Sequence, residues 1–270
     1  MPYRHAHWWI LALFPLAGFA FWPSYVSTIT SASFEFHAHG ITAALWLALL
    51  ALQSWSIHSG SVPLHRLSGR SSLALFPLFM AGGAGIFLGM AQRYVSGSPF
   101  HAMYAPRLAW LDIVGVAGFA FCYFQALKWR RKAQIHSRYM LATVLFLLPP
   151  IFGRLSAIPL GVRGPEDFPK LELGFQSANL LAAGIGLWLA SRPVKHGRPF
   201  LHAAGFILLS AILFQTVGSW PAWERFVASV ALLPAWPLTL AAAIAGVAIG
   251  WAGWTAGKRP VTPGPGAVPA

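Results

Sequence analysis

The sequence predicts an all-α membrane protein: a bundle of about eight transmembrane helices with both termini in the cytoplasm. Of the 270 residues, 57% are hydrophobic and 9% are charged, compared with about 45–50% and 25% in an ordinary soluble domain. The mean hydropathy of +0.60 is spread along the whole length, which leaves no room for a soluble catalytic domain. The distribution of basic residues then gives the orientation of the bundle.

Eight apolar stretches have the length of roughly 20 residues that a helix needs to cross about 30 Å of hydrocarbon. The first follows Arg4 and resembles a signal peptide. Trp22-Pro23 stands where a cleavage site is expected, so this stretch is interpreted as a retained span. The predicted spans are 7–24, 36–57, 70–91, 107–127, 139–159, 173–191, 200–218 and 227–254.

These spans are predicted to form one transmembrane domain over residues 1–259. The end of the chain, 260–270, is rich in Pro and Gly and is predicted to be a disordered tail. Pro149-Pro150 lies inside the fifth span and should kink it, because proline removes a helical hydrogen bond and clashes with the preceding turn.

Lys and Arg residues divide unequally between the two sides of the spans. Thirteen lie on one side and five on the other, and all six acidic residues fall toward the side that is poor in Lys and Arg. The positive-inside bias therefore places both termini in the cytoplasm, with a bacterial inner membrane as the expected location. Contact with anionic lipid headgroups explains the net charge of +13 without a nucleic-acid partner.

Polar side chains inside spans are costly in hydrocarbon and indicate candidate sites. Glu35 and His39 lie four residues apart on one face of the second span and are candidate metal ligands. Asp112 in the fourth span and Arg154 in the fifth are predicted at matched depth as a charge pair. This is either a structural ion pair or part of a polar cavity open to the outer face, in which His39 titrates. The other members of the predicted outer cluster are Gln176, Asn179 and Gln215.

Four histidines are predicted at one level near the cytoplasmic boundary, on four different helices. Two imidazoles that face each other across a gap between helices are what bis-histidine haem ligation requires, so these residues are candidate ligands of haem b. Alternatively, His and Arg residues at helix entries bind only lipid phosphate. The histidines are His58, His65, His136 and His202, and the candidate headgroup-binding arginines are Arg66, Arg70 and Arg138.

A series of short motifs stands at His39, Gln53, His65 to Arg70, His136 to Met140, and Arg154-Leu155. Together these motifs resemble an uncharacterised family of bacterial multi-pass membrane proteins, the DUF2306 type. The resemblance covers about residues 36–156 and implies no activity. Ser137 separates a His and an Arg that are adjacent in the family's pattern. In outline the chain is also similar to di-haem membrane cytochromes of the b561 kind, which implies haem ligands at the ends of a four-helix core.

Three classes of function follow from these observations. The first is an electron-transfer protein of the inner membrane that handles haem or quinone through the histidines at the cytoplasmic side. The alternative is a proton- or metal-coupled transporter or receptor that uses the outer polar cavity. The third is a non-catalytic assembly protein whose histidines only anchor helices.

The distribution of Lys and Arg makes a direct prediction about topology. Reporter domains fused after Lys132 and after Lys170 should lie on opposite sides of the membrane, the first in the cytoplasm, because one predicted span separates them. Paired alkaline phosphatase and green fluorescent protein fusions measure the two locations. The same location for both fusions would show that this span does not cross.

Overall fold

The structure is a computed structural model that describes residues 3–192 and 196–257 of the chain. Within those ranges the chain is helical without β-strands, which confirms the all-α fold class. Seven helical segments are long and apolar enough to cross a membrane, as expected for a multi-pass membrane protein. The predicted tail at 260–270 lies outside the described residues, and so do Lys195, Lys258 and Arg259 of the charge count.

Ten α-helices follow one another in the described ranges, together with two short 3-10 helices at Val26–Thr28 and Pro165–Lys170. The α-helices are α1 Ala6–Ala20, α2 Phe34–His58, α3 Val62–Val95, α4 Pro99–Lys128, α5 Ala133–Leu145, α6 Leu148–Leu155, α7 Leu171–Ala190, α8 Arg198–Thr216, α9 Pro221–Val230 and α10 Ala235–Ala256.

The first predicted span departs from expectation, because α1 has 15 residues and a length of only about 22 Å. The segment around it nevertheless runs between the two ends of the bundle. Tyr3 packs edge-on against Phe200 near the start of α8, with ring centroids 5.9 Å apart. Phe21 lies under the guanidinium of Arg154 near the end of α6, at 4.2 Å. The structure therefore supports seven of the eight predicted spans by length, and the first is shorter than a spanning helix requires.

Two other predicted spans are each divided into two helices. The fifth becomes α5 and α6, with Pro149 and Pro150 in the first turn of α6, which confirms the predicted kink. The eighth becomes α9 and α10, and Pro234 caps the start of α10. Helix α9 is amphipathic and buries Val227 and Val230 against α3 and α4. It therefore lies across the bundle as a short separate element.

The two ends of the bundle differ in charge. We call the end at which α2, α4 and α7 begin the acidic end, because five of the six acidic residues lie there, and we call the opposite end the basic end. The sixth acidic residue, Asp112, lies in the middle of α4. The distinction needs no assumption about which end faces the cytoplasm.

Five aromatic side chains fill the centre of the bundle between α2, α3 and α4, and we call them the aromatic cluster: Trp46, Phe76, Phe79, Phe119 and Tyr123. Their ring centroids lie 4.5–6.4 Å apart. All five are buried, and four of them are at most 1% exposed. Close-packed rings of this size leave no space for water, so the cluster forms a dry layer between the two ends.

The polar atoms of the aromatic cluster are paired with neighbouring helices. The Trp46 indole N–H donates to Thr143 Oγ1 on α5 at 3.0 Å. The Tyr123 hydroxyl is hydrogen-bonded to Ser72 Oγ on α3 at 2.9 Å. Buried indole and phenol groups need such partners, and here each bond also fixes the position of one helix against another.

Close approach of α2 to α3 depends on a glycine. A Cβ atom on Gly82 would lie 2.9 Å from the Cα atom of His39, a backbone atom that cannot move independently of α2. Gly89, two turns further along α3, has open space at the same position. Helix packing therefore requires a glycine at position 82 but not at position 89.

Replacement of these two glycines should therefore have opposite effects on stability. Gly82→Ala should destabilise the protein by about 1–3 kcal/mol, because the methyl group forces α2 away from α3. Gly89→Ala should be neutral or stabilising by up to about 1 kcal/mol, because alanine is the better helix former. Thermal unfolding of both purified variants in one detergent provides the measurement. Equal melting temperatures would contradict the close contact.

Candidate functional site

Three predicted site residues on three different helices are linked by the charge of one of them. They are His39 on α2, Asp112 on α4 and Arg154 on α6, and we call them the polar triad. The charge of Arg154 acts on both of the other members. His39 and Asp112 are half-buried, and Arg154 is exposed. Each member belongs to a different helix, so the triad exists only in the folded bundle.

Helix packing sets the relative depth of His39 and Asp112. Gly82 on α3 is in close contact with the backbone of His39. A Cβ atom on the neighbouring Gly83 would lie 4.0 Å from a methyl group of Val116 on α4. Asp112 precedes Val116 by four residues, so it lies about one turn nearer to the acidic end than His39.

Asp112 faces the interior of the bundle. Phe119 and Tyr123 follow it after 7 and 11 residues, about two and three turns, and therefore share its face of α4. Both belong to the aromatic cluster and are at most 1% exposed. The carboxylate therefore points into the space next to the cluster, away from the lipid.

The members of the polar triad are poorly satisfied by the protein. Asp112 has no hydrogen bond or ion pair to any residue that the structure describes. The Nδ1 atom of His39 is buried without a hydrogen-bond partner. Arg154 donates to the Pro150 carbonyl of its own helix at 2.9 Å and stacks on Phe21. Because unpaired groups at this depth are costly, the triad is the candidate functional site.

The predicted ion pair between Asp112 and Arg154 is wrong. No nitrogen–oxygen contact within 4.0 Å joins them in the described residues. The Arg154 guanidinium instead donates to the Pro150 carbonyl of its own helix and stacks on Phe21. Its charge acts on Asp112 only across a gap.

An ion pair does join α4 to α7, through residues that were not predicted to pair. Arg107 Nη1 lies 2.7 Å from Glu172 Oε2. Gln215 on α8 accepts a hydrogen bond from Arg107 at 3.1 Å and donates to Glu172 at 2.5 Å, and it also accepts from Gln176 at 3.0 Å. Sequence reasoning missed this network because it placed Arg107 at the outer end of a shorter span. We call these four residues the ion-pair network.

The predicted outer cluster is thus divided. Gln176 and Gln215 belong to the ion-pair network, and Asp112 and Arg154 belong to the polar triad. Asn179 is 2% exposed and donates to the Phe175 carbonyl of its own helix at 2.8 Å. The structure connects it with neither group.

The predicted metal ligands Glu35 and His39 have different surroundings. Glu35 packs against Gly85 and experiences the charge of Arg93, whereas His39 experiences that of Arg154. The positive charge of a guanidinium near each of these two residues disfavours the binding of a divalent cation between them. No group of three or more His, Cys, Asp or Glu residues suited to a metal occurs in the described ranges.

At the basic end, two of the four predicted haem ligands come together. His65 donates Nδ1–H to the Gln53 carbonyl at 3.2 Å, and His136 donates Nδ1–H to the Ala126 carbonyl at 2.8 Å. These bonds fix the tautomer in which Nε2 carries the lone pair, the form that metal-binding histidines adopt. The rings are close enough for their charges to interact.

The other two histidines have different contacts. The Nδ1–H of His58 donates to the Ser54 carbonyl of its own helix at 2.7 Å. The Nδ1 of His202 on α8 is hydrogen-bonded to the Tyr139 hydroxyl at 3.0 Å. The predicted ring of four histidines is therefore reduced to one pair.

The space around the His65–His136 pair does not suit a porphyrin. Tyr123 of the aromatic cluster lies one turn before Ala126, whose carbonyl is hydrogen-bonded to His136, and the cluster fills the adjoining core. Two cavities of 420 and 360 Å³ lie instead in surface grooves between α6 and α7 and between α7 and α8, and no histidine lines either one. Haem binding stays a prediction, with His65 and His136 as the pair best placed for it.

Gln53 explains the spacing of the motifs around it. Its amide donates to the His65 carbonyl at 3.0 Å and to Ser68 Oγ at 2.6 Å. A Cβ atom on Gly69 would lie 3.1 Å from the Gln53 side-chain oxygen. These contacts join the end of α2 to the start of α3, so a packing requirement accounts for these residues.

The candidate headgroup arginines differ in exposure. Arg66 and Arg70 are exposed, consistent with the predicted contact with lipid. Arg138 is 2% exposed, is hydrogen-bonded to Gln134 and lies against the Tyr3 ring at 5.4 Å. The prediction that Arg138 binds headgroups is therefore wrong, because its guanidinium is used inside the bundle.

Comparison with known proteins adds no assignment. No family model matches the chain, and neither a curated protein nor a solved structure matches it. The resemblance to the DUF2306 type and to b561-like cytochromes stays a prediction. The functional argument therefore rests on the geometry of this chain.

The ion-pair network and the polar triad should respond differently to double substitution. For Arg107→Gln and Glu172→Gln we expect a coupling energy of about 1–3 kcal/mol, because the second substitution removes a group that the first left unpaired. For Asp112→Asn and Arg154→Gln we expect less than about 0.5 kcal/mol. Thermal unfolding of the two double-mutant cycles measures both values. A larger coupling in the second cycle would contradict the separation of Asp112 and Arg154.

Proposed function

We propose that the protein is a multi-pass carrier or receptor that binds a small oxyanion at the polar triad. One observation carries the proposal: three chemically active side chains from three helices lie within range of the charge of Arg154 and find few partners among the described residues. A bundle that needed only stability would pair these groups, as it pairs Arg107 with Glu172. A ligand that completes their interactions explains why they are left open.

The guanidinium of Arg154 indicates the class of ligand. A single hydrogen bond, to the Pro150 carbonyl, is made by its terminal nitrogens in the described residues. Phe21 packs on the guanidinium and orients its plane. The remaining N–H donors form a fork that matches the two oxygens of a carboxylate or a phosphate. We therefore assign Arg154 as the anchor for the anion.

The ends of the surrounding helices favour entry from the acidic end. Helix α1 ends at Ala20, α2 begins at Phe34 and α6 ends at Leu155, so three helices stop near the level of the triad. Helices α3 and α4 continue about 20 Å beyond it. The aromatic cluster closes the opposite side. The distribution of Lys and Arg supports an acidic end that faces the outside of the cell, so the ligand would come from there.

Removal of the proposed anchor should abolish most of the binding. We expect Arg154→Gln to weaken oxyanion binding about 10- to 100-fold, because hydrogen bonds to a charged group contribute about 1.5–3 kcal/mol. Calorimetric titration of the protein in lipid nanodiscs with acetate, lactate and inorganic phosphate measures the affinity and separates carboxylates from phosphate.

The control is Arg163→Gln, which removes an equal charge from an exposed position after α6. This variant should bind like the unmodified protein. If none of the three anions binds the unmodified protein, or if both variants lose affinity equally, an anion site at Arg154 does not exist.

The His65–His136 pair favours a second candidate function, electron transfer through bound haem. Both imidazoles have their Nδ1 atoms hydrogen-bonded to backbone carbonyls, which leaves two Nε2 atoms available as axial ligands. Helices α3 and α5, which carry the two histidines, would have to separate to admit the porphyrin, so this function requires a bundle more open than the one described.

Absorption spectroscopy tests this second candidate. Protein purified from haem-replete cells should show a Soret band and a sharp reduced α band, and both should disappear in His65→Ala and His136→Ala. The control is His202→Ala, which leaves the pair intact and should retain the bands. A colourless protein would eliminate the redox function.

A further inference from the structure

We infer that the groove between α7 and α8 holds one phospholipid whose headgroup carries a primary ammonium. An acyl chain lies in the groove, and the ammonium binds the carboxylate of Glu172. The groove has a volume of 360 Å³ and is lined by none of the polar triad, so this inference is independent of the proposed anion site. The lipid joins two helices by filling the space between them.

The groove opens toward the membrane. Its two walls, α7 and α8, belong to segments that are long and apolar enough to cross a bilayer. Leu180 and Ile212 line the groove and are 61% and 57% exposed. Hydrocarbon therefore surrounds the opening, and an acyl chain is the molecule available to fill it.

The lining changes from polar to apolar along the length of the groove. From Thr216, the last residue of α8 at the acidic end, to Leu208 is eight residues, or about 12 Å of helix. Polar groups at the headgroup level followed by an apolar slot match a phospholipid that stands parallel to the helices. The polar lining residues are Gln176, Gln215 and Thr216, and the apolar ones farther from the acidic end include Leu180, Leu208 and Ile212.

A carboxylate stands at the polar end of this groove. Glu172 lies one turn before Gln176 on α7. One of its oxygens accepts from Arg107 at 2.7 Å and the other from Gln215 at 2.5 Å, and each has a second lone pair for an ammonium N–H. The side chain of Glu172 is 34% exposed and that of Arg107 is 16% exposed. The carboxylate is therefore the more accessible charge of the pair.

The remaining groups at the polar end favour a zwitterionic headgroup. The amide of Gln215 has two N–H groups and donates one of them to Glu172, so the second can serve the phosphate. The neighbouring cation, Lys170, is paired with Asp167 at 2.6 Å. These residues are electrically balanced and present a carboxylate outward, which complements a headgroup with N–H donors and disfavours an anionic one.

Native mass spectrometry of the purified protein in detergent measures the retained lipid. The probes are phosphatidylethanolamine, phosphatidylcholine and phosphatidylglycerol with identical acyl chains, added in equal amounts. Phosphatidylcholine has the same net charge as phosphatidylethanolamine but no ammonium N–H, and phosphatidylglycerol is anionic. We expect one bound phosphatidylethanolamine, retained about 2- to 5-fold more than either other lipid, because water weakens an interaction with a partly exposed carboxylate.

Two pairs of variants locate the lipid. Ile212→Trp places a larger side chain in the groove and should abolish retention. Leu209→Trp changes an exposed residue of the same helix that does not line the groove, and it should retain the lipid. Glu172→Gln should bind phosphatidylethanolamine and phosphatidylcholine equally, whereas Glu166→Gln, at an exposed position of the Pro165–Lys170 helix, should keep the preference.

Each outcome has a separate meaning. Equal retention of the three lipids, or a preference for phosphatidylglycerol, overturns the inferred headgroup. Retention that survives Ile212→Trp, or that is lost equally in Leu209→Trp, overturns the location. A preference that persists in Glu172→Gln overturns the role of this carboxylate. If Glu172→Gln does not fold, the three lipids and the two tryptophan variants decide the inference without it.

Discussion

The high cost of an unpaired charge in a hydrocarbon-embedded bundle is the constraint on which the functional argument depends. Two arginines in the acidic half of the molecule differ in how far their charges are paired. Arg107 is matched by Glu172 and by Gln215 and contacts Phe214, so its charge is fully used in joining α4, α7 and α8. Arg154 has one backbone carbonyl and one aromatic ring. The chain therefore pairs the charge of Arg107 fully, whereas it leaves the groups of the polar triad largely without partners.

The aromatic cluster explains why the unpaired groups of the polar triad are costly. Without a dry layer between the two ends, water from both sides would solvate the unpaired groups and their cost would be small. The cluster excludes water on one side of His39 and Asp112, and it places the His65–His136 pair in a separate compartment at the basic end. Apolar side chains therefore separate the polar triad from the His65–His136 pair, so a substitution in one group should not affect the other.

The sequence predicted the features that depend on composition and local chemistry. The helical fold, the kink at Pro149 and the separation of acidic from basic ends follow from hydropathy, proline geometry and charge. Depth and pairing were harder to predict because hydropathy underestimates helix length: α4 continues eight residues beyond the apolar stretch. That extension brings Arg107 into the bundle, where it contacts Glu172. Arg138 is basic and close to a predicted membrane boundary, which suggested contact with headgroups. Tertiary packing instead buries it against the Tyr3 ring.

The hydrogen bonds of the aromatic cluster bear on the distinction between a receptor and a carrier. A carrier must open the basic side to the triad, and therefore has to separate rings that are anchored by Trp46 to Thr143 on α5 and by Tyr123 to Ser72 on α3. A receptor needs no such movement. Helix α5 ends two residues before α6 begins, and this break, next to the two prolines, allows α5 to move while α6 holds Arg154 in place. The break lies between Arg154 and Thr143, the hydrogen-bond partner of Trp46, so in the proposed carrier a movement of α5 would couple the anion site to the dry layer.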